Sequence, residues 1–264
     1  MRDMVAFVPS ATFPFHALSD YVAIPRVTGL RLSPDGSWLA ASVQTLSKDR
    51  KKFVTSIWRI DPQGGAPHRL TRSAEGEGGP RFLPDGSLLF TSKRPAPDNG
   101  EGNGGHNGDR DEGPAMWLLP AGGGEARIVA SLPGGINGLE TAADAPAIVV
   151  VSPALGDEDE RLRKERKDAG VTAILHETVP VRYWDHDLGP ADPRLFAVTP
   201  PDADSAETED SRYETRDLTP DAGRALFQPS VALSPDGTLA AVTWWRWRDG
   251  VQAHQVQRIE TRDQ

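Results

Sequence analysis

The chain has 264 residues, enough to bury a sizeable core, and its 38% hydrophobic and 25% charged residues are the balance of a soluble globular protein. A formal net charge of −9 argues against a nucleic-acid surface or an anionic membrane as its partner, because phosphate binding needs a basic face. Cysteine is absent, which excludes a disulfide framework and thiolate metal sites and suits a reducing compartment.

At the N-terminus, Pro9, Pro14 and His16 break the apolar run that starts at Met4-Val5-Ala6-Phe7-Val8. No signal peptide is read there, no later run is long enough to span a bilayer, and a cytoplasmic location is expected.

The organising stretch follows. Leu30-Arg31-Leu32-Ser33-Pro34-Asp35-Gly36-Ser37-Trp38-Leu39-Ala40-Ala41 returns as Arg81-Phe82-Leu83-Pro84-Asp85-Gly86-Ser87-Leu88-Leu89-Phe90 and again as Val231-Ala232-Leu233-Ser234-Pro235-Asp236-Gly237-Thr238-Leu239-Ala240-Ala241. Each copy predicts a strand, a tight turn and a second strand. Proline presets φ at the first corner, aspartate bonds its own backbone, and glycine takes a positive φ without steric cost. One Pro-Asp-Gly is weak, but three in the same strand setting make a repeat, and Asp85 follows Asp35 by 50 residues.

In the first unit the remaining strands are Thr55–Ile60, after the charged turn 48–52, and His68–Thr71, after Gly64-Gly65. In the second they are Met116–Leu119 and Ala126–Val129. The third unit lacks Pro-Asp-Gly: its turn is Thr141–Ala145, followed by strands at Ala147–Val151, Arg194–Val198 and Tyr213–Leu218. The fourth opens at Ala225-Leu226-Phe227 and carries the third turn copy and a strand at Ala253–Ile259. Four consecutive antiparallel strands make one propeller blade. The expected fold is therefore all-β: a partial, open β-propeller of about four blades, 26–72, 78–131, 136–219 and an incomplete 224–264, with one short charged helix inserted.

Two segments resemble sites without being read as such. Residues 98–113 are rich in oxygen ligands, but the acids do not fall at EF-hand positions, and a mobile glycine-rich loop is expected. Asp157–Asp168 predicts a solvated helix, with acids in its first turn and i,i+4 pairs Asp159–Arg163, Glu160–Lys164 and Arg161–Glu165.

Chemistry is harder to find. There is no Gly-x-Ser-x-Gly elbow and no phosphate-cradling glycine loop. The six histidines (16, 68, 106, 176, 186, 254) are scattered, and Asp185-His186-Asp187 is too close in sequence to form a triad by itself. No catalytic, cofactor-binding or metal-binding residue is assigned.

The chain nevertheless resembles the N-terminal propeller of the prolyl oligopeptidase family of serine peptidases, in its bacterial acylaminoacyl-peptidase and dipeptidyl-peptidase-like branch. The likeness lies in Leu18–Pro25 leading into the first Ser-Pro-Asp-Gly, in Met116–Ala126, and in the charged helix followed by Val181–Asp185 and Arg194–Val198. The Pro-Asp-Gly repeats alone fit TolB-like propellers equally well. The resemblance implies a propeller of about seven or eight blades capping an α/β-hydrolase domain that carries the serine, aspartate and histidine. None of these can be placed on this chain, which departs from the family by stopping partway through the propeller. In the dipeptidyl branch, acids on a propeller helix hold the substrate amine. Glu158 and Glu160 lie on a comparable insertion but have basic partners, and the role is not assigned to them. The partners implied are that hydrolase domain and peptide substrates. Two functions stay open: a substrate-gating propeller of a serine peptidase, inactive alone, or a non-catalytic TolB-like module binding a protein partner. An open array is also expected to leave two apolar blade faces uncovered.

Overall fold

Short runs of alternating side chains, cut by Pro, Asp and Gly, fold into four antiparallel sheets. The computed structural model describes residues 17–95, 113–173, 181–184, 186–187, 189–201, 212–248 and 251–262. A one-turn helix, α1 (Leu18–Val22), precedes the first sheet. That sheet is a meander of β1 (Arg26–Leu32), β2 (Leu39–Leu46), β3 (Phe53–Ile60) and β4 (His68–Arg69). The second repeats it with β5 (Glu77–Phe82), β6 (Leu88–Ser92), β7 (Ala115–Leu119) and β8 (Arg127–Ala130).

The third sheet starts with β9 (Gly138–Thr141) and β10 (Ile148–Ala154). An insertion then carries α2 (Asp157–Asp168) and a small hairpin of β11 (Arg182–Tyr183) and β12 (His186–Asp187). β13 (Asp192–Thr199) and β14 (Glu214–Asp217) complete the sheet in the order β9-β10-β13-β14. The helix forms where its charge pattern predicts, with Arg161 Nη1 2.5 Å from Glu165. It ends at Gly170, whose φ of 70° lets Val171 N–H reach the Arg166 carbonyl and Gly170 N–H the Lys167 carbonyl.

The fourth sheet has three described strands, β15 (Val231–Leu233), β16 (Leu239–Arg248) and β17 (Val251–Glu260). Ala225 and Leu226, where the fourth unit opens, belong to a 3-10 turn, Gly223–Leu226, that plugs Leu226 between the third and fourth sheets.

The sheets stack in sequence order. Ala40 and Ile57 of the first meet Phe82, Leu88, Phe90 and Trp117 of the second. The opposite face of the second, with Leu89, Met116 and Leu118, packs on Ile148, Val150 and Val198 of the third. Val149 and Leu195 then pack on Val242, Val231 and Leu233 of the fourth. Successive residues of one strand thus serve different neighbours: Leu88 and Phe90 look back to the first sheet and Leu89 looks forward to the third. The array is an open portion of a propeller, and the fold class expected from the repeat holds. The order also leaves the backward face of the first sheet and the forward face of the fourth without a neighbour among the described residues.

Specific contacts fix the stack. Arg81 of β5 holds Glu140 of β9 through two bonds, Nε–Oε2 at 2.8 Å and Nη2–Oε1 at 2.5 Å. Thr141 Oγ1 donates to the Phe82 carbonyl at 2.8 Å, and Tyr213 N–H to the Val129 carbonyl at 2.7 Å. Glycine is required at Gly237: its φ is 71°, and a Cβ there would lie 2.3 Å from that of Ala147 in the turn between β9 and β10.

Candidate functional site

The three repeated turns share Pro-Asp-Gly and differ in the residue before it, serine in the first and third and leucine in the second, and their geometry differs with it. In the first, Ser33 Oγ donates to Asp35 Oδ1 at 2.6 Å and accepts from Trp38 N–H at 3.1 Å. Ser37 donates to the same carboxylate through its amide (3.0 Å) and hydroxyl (2.8 Å). The turn at Ser234 is built alike, with Ser234 Oγ bonded to Asp236 at 2.6 Å and Leu239 N–H bonded to Ser234 Oγ at 3.0 Å. In the second copy Leu83 replaces the serine. The closing amide bond then runs from Leu83 to Ser87 rather than from Ser33 to Trp38, and the turn is one residue shorter. The register agrees: Leu32 pairs with Leu39 and Leu233 with Ala240, whereas Phe82 pairs with Leu88.

The hydroxyl of Ser33, with the amide and hydroxyl of Ser37, holds the Asp35 carboxyl down at about 2 against an ordinary 3.8. Asp236 is lowered by Ser234 first and Thr238 next. A further turn of this kind escapes the Pro-Asp-Gly pattern. Between β2 and β3, Ser47 Oγ donates to Asp49 at 2.6 Å and accepts from Lys52 N–H at 3.2 Å, and Asp49 too is lowered, by Ser47 first. Arg50, at φ 59°, stands where the repeat has glycine.

In a meander the first and third turns of each sheet fall on the same rim. The first turn of the first sheet and both such turns of the second enclose a cleft of about 380 Å³. Its walls are Asp35 and Trp38, the Pro84-Asp85-Gly86 corner, Leu119, and Arg59 from the end of β3. The Arg59 guanidinium lies 4.8 Å from the Trp38 ring, which meets Phe82 edge-on at 4.8 Å and 86°.

This cleft is not built for acid–base or nucleophilic work. Asp35 stays ionised through the neutral range, Ser33 Oγ both donates and accepts within its turn, and no histidine lines the walls. It offers an aromatic face, a cation and an acidic rim, which is a binding arrangement. Sequence reasoning did not pick out Arg59 or Trp38, because only the approach of the second sheet makes them a wall.

The residues weighed from the sequence fall elsewhere. His186 and Asp187 form β12, while Asp185 lies outside the described residues, as does the acidic loop 98–112. Glu160 is exposed on α2. Among the described residues no group of three His, Asp or Glu side chains is arranged to hold a metal ion, and no helix is long and apolar enough to cross a membrane.

The class these features define is an open portion of a β-propeller. Among solved structures the chain is similar to the acylaminoacyl peptidase of Pyrococcus horikoshii, at 14% identity and a TM-score of 0.52, covering 90% of this chain and 33% of that one. It is equally similar to an acylaminoacyl peptidase in complex with Z-Gly-Gly-Phe-chloromethyl ketone, at 13% identity and a TM-score of 0.52, with the same coverage of 90% and 33%. A weaker likeness, TM-score 0.45 at 13% identity over 89% of this chain and 57% of that one, is to the β-propeller domain of the Trilobed protease from Pyrococcus furiosus. At these identities the likeness is one of fold. The chain spans about a third of the length of the acylaminoacyl peptidases it matches. No family model and no curated protein matches the sequence.

Proposed function

We propose that this chain is the substrate-gating propeller portion of a serine peptidase of the prolyl oligopeptidase kind, not catalytic alone. Its sheets supply blades at 26–72, 78–131, 136–219 and 224–264 and a rim over which short peptides pass. The serine, aspartate and histidine stand on an α/β-hydrolase domain, its partner in the intact protein, and the protein works in the cytoplasm. The observation that carries this reading is the fold likeness to acylaminoacyl peptidases across 90% of the chain. It is supported by a rim cleft whose hydroxyls and carboxylates are committed to turn structure. A stacked ring of blades excludes folded proteins by size while admitting extended peptides, which is the physical basis of gating. Sequencing the genomic DNA on the 3′ side of the Gln264 codon tests the proposal. A Gly-x-Ser-x-Gly elbow within an α/β-hydrolase pattern, in frame or in a shifted frame, is the expected result, and an unrelated gene there would overturn it.

A further inference from the structure

The rim cleft between the first two sheets holds two opposite charges that do not meet. Arg59, near the end of β3, faces solvent, and among the described residues nothing accepts a hydrogen bond from its guanidinium. What positions it is the Trp38 ring 4.8 Å away, itself fixed by its edge-on contact with Phe82 of the second sheet. A stacked guanidinium loses little further freedom on binding, and its planar fork fits a carboxylate through two parallel bonds.

On the wall that the second sheet supplies, Asp85 has acceptor capacity that its counterpart Asp35 has largely used. A carboxylate can accept about four hydrogen bonds. Asp35 takes three within its turn, from Ser33 Oγ and from the amide and hydroxyl of Ser37. Asp85 takes two, from the Ser87 amide on one oxygen and the Ser87 hydroxyl on the other, because Leu83 stands where the first turn has Ser33. Each Asp85 oxygen can therefore receive one more donor, and the side chain faces solvent at the cleft. The apolar part of the lining includes Leu70 of the first sheet's last connection and Leu119 of the second sheet, both half-buried.

With two acids, Asp35 and Asp85, against one base, the lining turns away phosphate and other ligands that carry an excess of negative charge. Arg59 and Asp85 come from different sheets and do not pair with each other. A ligand that satisfies both must bring one anion and one cation set apart along its length, as the two ends of a short peptide are. We propose that this cleft binds a zwitterionic peptide of dipeptide size, with its terminal carboxylate on Arg59, its terminal ammonium on Asp85 and an apolar side chain against Leu70 and Leu119. The cleft's volume of about 380 Å³ lies at the lower end of the roughly 300–1,000 Å³ of small-ligand sites, which suits a ligand of two residues. The inference uses only the groups of the cleft and stands whether or not the chain belongs to a peptidase.

Titration of the nitrogen-15-labelled full chain with the dipeptide Ala-Leu, followed by NMR at the Trp38 indole and Arg59 Nε signals, tests it. Both signals are expected to shift and to saturate. N-acetyl-Ala-Leu lacks the ammonium and Ala-Leu amide lacks the carboxylate, and each should bind about tenfold more weakly or worse. The same loss is expected for Ala-Leu on Arg59→Met and on Asp85→Asn, read at Trp38. Arg59 faces solvent, and an asparagine at 85 can still accept from the Ser87 amide, so both variants keep the fold, which unchanged amide spectra away from the cleft will check. An acetylated peptide that binds as tightly would mark a plain anion site, and an amidated one that does so a plain cation site. Either result, the lack of a saturable shift at Trp38, or variants that bind like the wild type would overturn the proposal.

Discussion

Ser33 and Ser234 are small residues with a large local effect, since one hydroxyl closes the turn on one side and orients the aspartate on the other. Because the Asp35 carboxyl is held near 2 in the folded chain, the stabilisation it provides is complete above its ordinary value of 3.8 and is lost as pH falls from there towards 2. Carbon-13 NMR of the labelled side chain should show a titration midpoint near 2, and Ser33→Ala should move that midpoint up, since the hydroxyl is the largest cause of the depression. Arg50 is the converse case, an exposed side chain at φ 59° in a turn that elsewhere takes glycine. Arg50→Gly relieves left-handed strain of about 1–2 kcal/mol and adds roughly 0.5–1 kcal/mol of unfolded-state entropy. A net gain of roughly 0.5–1 kcal/mol is expected in urea denaturation.

At the scale of elements, the seam between the first and second sheets depends on a buried acid. Glu77, 2% exposed at the start of β5, accepts from Thr71 Oγ1 at 2.8 Å on one oxygen and from Ser73 N–H at 2.9 Å on the other. Thr71 in turn accepts from Ile57 N–H of β3 at 2.9 Å. The third sheet uses the same device, with Thr219 Oγ1 accepting from Leu195 N–H at 2.9 Å. Glu77→Gln keeps the shape but puts an amide donor against one of the two donors. It should cost about 1–3 kcal/mol in chemical unfolding while leaving the circular dichroism of the folded state unchanged. The charged helix α2 and the Pro-Asp-Gly turns were legible in the sequence because their causes are local: charge order along a helix, and a proline, an aspartate and a glycine at fixed offsets. The turn at 48–52 was legible as a turn, but its kinship with the Ser-Pro-Asp-Gly turns was not, since Lys48 and Arg50 stand where those have proline and glycine. The shortening at Leu83 was not either, since it follows from a hydroxyl that is missing rather than from a motif that is present.

Over the whole molecule, stability is carried by three interfaces in series, each made of the alternate residues of adjoining sheets. Phe90 is fully buried between the first and second sheets, beside Trp117. Phe90→Ala should cost about 3–5 kcal/mol. Hydrogen exchange should then show protection lost first in β1–β4, which have only this one neighbour, with the seam of the third and fourth sheets least affected. The sequence by itself determined the all-β character, the repeat, the turn positions and the inserted helix, because each arises from contacts between residues a few positions apart. Only the tertiary structure decided which face of each sheet meets which neighbour, that Trp38 and Arg59 wall a cleft, and that Leu30 and Leu32 remain exposed while their counterparts Val231 and Leu233 are packed. Those outcomes belong to packing between sheets, where a one-residue change of register exchanges the faces and no local preference of the chain can choose between them.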